Sequence, residues 1–408
     1  MGLIDNIWQI LRGKQGTYNP FFIKSIDGYS ISTNIDTSTV NGQLLAYLSN
    51  PFVNSIIDKK TELFMNAKMF INDSTGNESR SKEATTLREL LKNPNGFQNG
   101  NEFIKNVYRN CQIFGGAYIL PIDLGLNKIQ GFVCLLNSSL NIEYDYSLYP
   151  NKIEKTNYIK RLTLTTFNGS QVDLTDKKDS ILMIKLSESL TKPCQFQSKL
   201  ASLSDQINTL NVGCDASLNL LRNHGAMMIV TNKSKDVSGT MPLTSKEKDN
   251  FYNDYYQNFG VNTGKKGVMF TSHDLGVVKV SMPISELRLD ESEIRAVRTI
   301  SEALNYPMIL LGFSQGTTYS NVKEAKLSVY ENAIIPEADL IYKSFETYLK
   351  TDNIKVYFDH LQIFQESELQ KIEKNKLHIE IGKQLYDNGI YTLEQYKKYL
   401  IENEIIAE

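Results

Sequence analysis

The chain has 408 residues, of which 41% are hydrophobic and 22% charged, and its net charge is −2. That length exceeds the roughly 250–300 residues at which single cores stop growing, so two or three cores of ordinary globular composition are expected. The near-neutral charge excludes a globally basic nucleic-acid-binding surface and leaves any DNA contact local.

Residues 3–11 predict a short amphipathic helix (Ile4, Ile7, Trp8, Leu11). It sits in an N-terminal arm, residues 1–40, whose polar remainder is expected to be mobile or packed on a neighbouring molecule. The beginning of the chain has no basic segment or small-residue cleavage site of a signal peptide. From Gly42 to Met65 the pattern is helical, with Asn50-Pro51 marking a turn, and Met69–Asn72 reads as a strand. Leu87, Leu90 and Leu91 close a further helix before the turn Asn93-Pro94-Asn95-Gly96. Asn99 or Asn101 caps the next one, whose face carries Phe103, Val107, Cys111 and Phe114, and Gly115-Gly116 breaks it into a strand from Ala117 to Ile122.

Between Gln130 and Ser187 the spacing predicts strands over 131–136, 140–144, 158–166, 171–174 and 181–186, read as one antiparallel meander with a two-residue hairpin at Asn168-Gly169. A long helix over 196–224 and a strand over 226–231 follow. A helix over 245–259 leads to a Gly/Lys loop and two short strands, 268–271 and 277–282. An amphipathic helix then runs from Leu289 to Asn305, with Ile294, Val297, Ile300 and Leu304 on one stripe, ended by Tyr306-Pro307. A loop over 312–321 precedes a second helix that Pro336 is expected to kink. A strand over 354–358 and helices from Glu366 onward complete an α+β chain. Thr392 and Gln395 form a capping box for the last of these helices.

The residues offer little catalytic chemistry. Around Gly264-Lys265 a phosphate-binding loop would require glycine at Phe259 and Ser or Thr at Lys266. Four histidines are scattered, no zinc-protease or nucleophile-elbow pattern occurs, and Cys111, Cys134, Cys194 and Cys214 lack metal-ligand spacing. No enzyme, cofactor or metal site is expected, and no apolar run is long enough to span a membrane.

Three ordered passages, over roughly 87–364, resemble the tailed-bacteriophage portal protein family. They are Leu-Leu-x-Asn-Pro-Asn with Glu102-Phe103 and Gly-Gly-Ala-Tyr; the helix–small β–helix of 245–305; and Tyr306-Pro-Met-Ile-Leu-Leu-Gly312, a Gly/Thr loop ending Tyr319-Ser-Asn321, and Ile335-Pro336. The resemblance implies an α/β wing (41–240), a two-helix stem (241–309) enclosing a small β clip (260–285), a tunnel loop and kinked wing helix with a returning strand (310–365), and a helical crown (366–408). It implies a twelve-subunit ring at one capsid vertex, assembled in host cytoplasm and carried in the virion, through which double-stranded DNA is packaged and ejected. The major capsid protein, the terminase motor and neck or adaptor proteins are its implied partners. Carried onto this sequence, the tunnel loop is Gly312, Ser314, Gln315, Gly316, Thr317, Thr318, Tyr319 and Asn321. Asn262, Lys265 and Lys266 lie at the docking clip, and Ile294, Val297, Ile300 and Leu304 form the stem interface. The uncharged loop suits a channel along which DNA slides, since tight phosphate contacts would anchor it. An oligomeric α+β scaffold, or a metal-dependent nuclease-like enzyme with dispersed carboxylates, is the alternative.

Overall fold

A computed structural model describes residues 34–123, 129–146, 158–222, 228–232, 275–279, 289–312 and 318–402, apart from Ser74, Phe167 and Asp352, and scattered positions between 235 and 253. The expected helix over 3–11, most of the helix over 245–259 and the strand over 268–271 lie outside the described residues.

Two helices, α1 (Val40–Ser49) and α2 (Pro51–Phe64), are separated by Asn50, whose side chain accepts from the N–H groups of Phe52 and Val53, with Pro51 at the first position of α2. The end of the arm belongs to this chain's own fold. Ile35 is buried, its N–H bonds the Asn208 side chain at 2.8 Å, and its carbonyl accepts from Asn208 and Ser204. Residues 34–39 therefore correct the expectation of a mobile or intermolecular arm. Strand β1 (Lys68–Asn72) and helices α3 (Lys82–Lys92) and α4 (Gly100–Phe114) follow. Of the two cap candidates it is Asn99 that starts α4, in a reciprocal capping box with Glu102.

Helix α4 ends at Gly115, which is left-handed at φ +83; a Cβ there would also lie 2.3 Å from the Gln197 carbonyl oxygen. The chain then enters β2 (Gly116–Asp123), whose alternate residues feed two cores: Ala117 and Ile119 point into the main one, Tyr118 and Leu120 into a smaller one.

The expected meander is two sheets instead. Strand β2 is central between β3 (Ile129–Leu135) and β7 (Leu182–Lys185), while β4 (Leu140–Tyr144), β5 (Ile159–Thr165) and β6 (Gln171–Asp173) form a separate antiparallel sheet. The hairpin loop is also one residue longer than expected, because Thr166 pairs with Ser170 around residues 167–169, with Gly169 left-handed.

The long helix begins later than its apolar pattern, as α5 (Ser204–Arg222) after a short 3₁₀ turn at Lys199–Ser202. Strand β8 (Met228–Asn232) pairs antiparallel with Leu275–Lys279, two residues ahead of the strand expected at 277–282. Helix α6 (Leu289–Ala303), α7 (Tyr319–Val329) and α8 (Ile335–Leu349) carry the chain to a strand at Asn353–Tyr357, which pairs antiparallel with β1 and so closes the fold. Helices α9 (Gln362–Asp387) and α10 (Leu393–Glu402) form a C-terminal hairpin with the expected Thr392/Gln395 box. Among the described residues, no helix is long and apolar enough to cross a membrane.

Candidate functional site

The segment between α6 and α8 is held by its two ends. Helix α6 stops in a Schellman arrangement. The N–H of Tyr306 bonds the Ser301 carbonyl at 2.8 Å, the N–H of Asn305 bonds that of Glu302 at 3.0 Å, and Asn305 is left-handed at φ +53. Asn305 rather than the Tyr306-Pro307 pair ends the helix. A 3₁₀ turn at Met308–Leu311 follows, then Gly312, also left-handed. The chain re-enters helix at Thr318, whose hydroxyl accepts from the Asn321 N–H.

The predicted loop is thus shorter than 312–321. Thr318 is a helix cap, while Tyr319 and Asn321 occupy the first turn of α7. All three are solvent-exposed, Tyr319 at 79%. Ser314, Gln315, Gly316 and Thr317 lie outside the described residues, as do Asn262, Lys265 and Lys266. The predicted stem-interface stripe is divided. Val297, Ile300 and Leu304 are buried in the chain's own core, and Ile294 alone stays outward at 43% exposure.

Two successive lysines of α2 tie down this segment. The Lys59 ammonium donates to the Leu310 carbonyl at 3.1 Å, inside the 3₁₀ turn. Lys60 is fully buried and donates to the Leu304 carbonyl at the end of α6 (3.2 Å), to Gln112 Oε1 (2.9 Å) and to Glu337 Oε1 (3.0 Å) in the first turn of α8. Glu337 Oε2 accepts in turn from the Tyr108 hydroxyl and, at 2.8 Å, from Gln112 Nε2. Burial pushes the Lys60 ammonium below its ordinary pKa, and the Glu337 carboxylate pulls the other way. The three donors of Lys60 each have an acceptor, as an enclosed ammonium requires. One network therefore joins α2, α4, the exit of α6 and the entry of α8.

Pro336 does not break the second helix. A π turn, Tyr330–Ile334, runs from α7 into α8, and Pro336 sits in the first turn of α8 directly behind it. The wider turn accommodates a residue that has no N–H to donate and would crowd a carbonyl one turn back. Tyr330 anchors the turn: it is buried, its hydroxyl accepts from Asn66 at 3.3 Å, and its ring lies 5.4 Å from those of Phe358 and Phe364.

The lysine network was missed at the level of sequence, although a signal exists. Lys60 stands in the apolar stripe of α2, with Val53, Ile56, Ile57 and Phe64, where helical spacing points it inward. Glu337 carries the same mark, standing at helical spacing from Ala333, Ile334 and Ile341, all of them buried. Nothing local in the sequence pairs two residues 277 positions apart.

The family of phage portal proteins matches over residues 65–399, and the chain belongs to that family. An uncharacterized protein of Rickettsia felis is 26% identical over 277 residues, covering 66% of this chain and 68% of its own length. Among solved structures, the fold resembles the neck of a native gene transfer agent particle computed with C12 symmetry, with a TM-score of 0.55 and 14% identity over 93% of this chain and 95% of the other. It also resembles an HK97-family phage portal protein from Corynebacterium diphtheriae, with a TM-score of 0.51 and 13% identity over 77% and 94% of the two chains.

Proposed function

We propose that the protein is a portal subunit: one copy in a closed ring at a single capsid vertex, through which double-stranded DNA is packaged and later leaves. The family match over residues 65–399 carries this reading. The C12 symmetry of the similar gene transfer agent neck supports twelve copies. In this reading 41–240 is the wing and 241–309 the stem, with the clip at 260–285. Residues 310–365 hold the tunnel loop and kinked helix, and 366–408 the crown. The loop over 312–318 and the exposed Tyr319 face the DNA. Lys265 and Lys266 meet the terminase motor and then the neck proteins, and Ile294 contributes to the seam between stems. The major capsid protein surrounds the ring, which resides in the virion. The role is structural, and no observation among the described residues favours the metal-dependent nuclease.

Negative-stain electron microscopy of the purified chain, with light scattering for mass, tests the proposal. Rings with a central hole and a mass near twelve subunits are expected. A compact monomer that cleaves DNA when magnesium is added would end it.

A further inference from the structure

The C-terminal hairpin leaves more apolar surface uncovered than one helix pair can use. Helix α9 packs on α10 through Gly382, where a Cβ would lie 2.6 Å from Tyr396 Cε2, and through His378, whose Nδ1 meets the Tyr399 hydroxyl at 2.8 Å. At about 100° per residue, Lys376, Glu380, Lys383 and Asp387 fall on the face opposite this contact, and all four are exposed. The two flanks between these faces are apolar. Leu377 and Ile381 occupy one, at 55% and 38% exposure; Ile379 and Tyr386 occupy the other, at 39% and 42%, the Tyr386 ring stacking along one side on Tyr396 of α10 at 6.0 Å. A helix that lies on one partner needs a single apolar stripe, whereas over residues 376–387 α9 has two apolar flanks in addition to the side packed on α10.

We infer that this hairpin is a ring-forming interface, in which the Leu377/Ile381 flank of one copy packs against the Ile379/Tyr386 flank of the next. The inference rests on the portal reading and adds the contact to it. A heterologous contact that closes into a ring requires two different, complementary patches on each subunit, facing in opposite directions. One unrelated partner or a lipid surface would cover one flank and leave the other wet. The outward charges alternate, two lysines with two acids, so identical hairpins side by side present no like-charge wall.

The test uses the full chain with one flank changed at a time, Leu377→Ser/Ile381→Ser or Ile379→Ser, the latter sparing Tyr386 because its ring stacks on Tyr396 within the hairpin, and mass photometry across a dilution series. Each variant is expected to fold, with unchanged circular dichroism, and to raise the concentration at which rings half-dissociate at least tenfold. Mixing the two variants leaves one intact flank on each, so at a concentration where each variant alone is monomeric the mixture is expected to show dimers. Variant rings as resistant to dilution as the wild type would overturn the inference and leave the portal reading standing. A wild-type chain that stays monomeric at every concentration would overturn both.

Discussion

Lys60 has no exposed surface and three acceptors within 3.2 Å, so its stability effect depends on the whole set surviving together. Removing one partner strands the other charge. Glu337→Leu leaves a buried ammonium, and Lys60→Met leaves a carboxylate without its counter-ion; each should cost about 3–5 kcal/mol. The double variant Lys60→Met/Glu337→Leu should recover most of that loss, because neither charge then needs burying. Denaturant melts of the four proteins measure this, and additive losses in the double variant would show that the two residues act separately. Asn305 gives a backbone counterpart. Asn305→Gly should be neutral or slightly stabilising, whereas Asn305→Val, forcing a β-branched residue to φ +53, should cost about 1–3 kcal/mol.

At the scale of elements, the position of the Thr318 cap sets how much of the loop can be removed. Deleting residues 314–317 spares Thr318 and the first turn of α7, so rings should assemble as before while DNA packaged or retained per particle falls. Equal DNA content would remove the loop from the mechanism. Extending the deletion through Tyr319 also removes the cap hydroxyl, at about 1 kcal/mol, and would mix a folding defect into the result. The cap was legible only in hindsight, since Thr317 and Thr318 both precede an apolar-periodic segment. Elements dominated by local rules read well: Asn50-Pro51 separating two helices, an asparagine cap at Asn99 as one of two candidates, the capping box at Thr392, and most strand positions. What failed was long-range partnering. The sequence of β7 fits an edge beside β6 as well as one beside β2, and only packing decides. With Gly116 opposite Lys185, a Cβ at Gly116 would lie 2.5 Å from the Ile184 carbonyl, a closeness only glycine tolerates. The stem stripe is a similar case. Its spacing fixes which side of α6 is apolar, but not whether this chain or another covers it, and α6 turns Val297, Ile300 and Leu304 into its own core.

At the scale of the molecule, buried and half-buried tyrosines pack these elements together and should make the fold sensitive to alkali. Burial raises the Tyr342 phenol from about 10 to about 12; the same cause, the largest for each, takes Tyr306, Tyr144 and Tyr47 to about 12. For an acid whose folded pKa is raised, the folded state holds the proton between the two values while the unfolded state releases it. The stability is therefore fully present below pH 10 and is lost as pH climbs towards 12. For Tyr342 alone the two-unit gap corresponds to about 3 kcal/mol, taking roughly 1.4 kcal/mol per pH unit. Lys60 works in the opposite sense, since its burial penalty fades as it deprotonates on the way to its unfolded value. One lysine does not offset four phenols. Melting temperature should be flat from pH 7 to 9 and fall steeply from about pH 10, and phenolate absorbance should rise together with the loss of near-ultraviolet circular dichroism. Tyr342→Phe should shallow that slope without moving the neutral-pH plateau by more than its lost packing, because its ring, stacked 6.3 Å from Phe64, is kept while the titrating hydroxyl is gone. Tyr306 and Tyr342 phenols that titrate near pH 10 in a chain that stays folded would show that these two side chains reach water, and would remove them from the core.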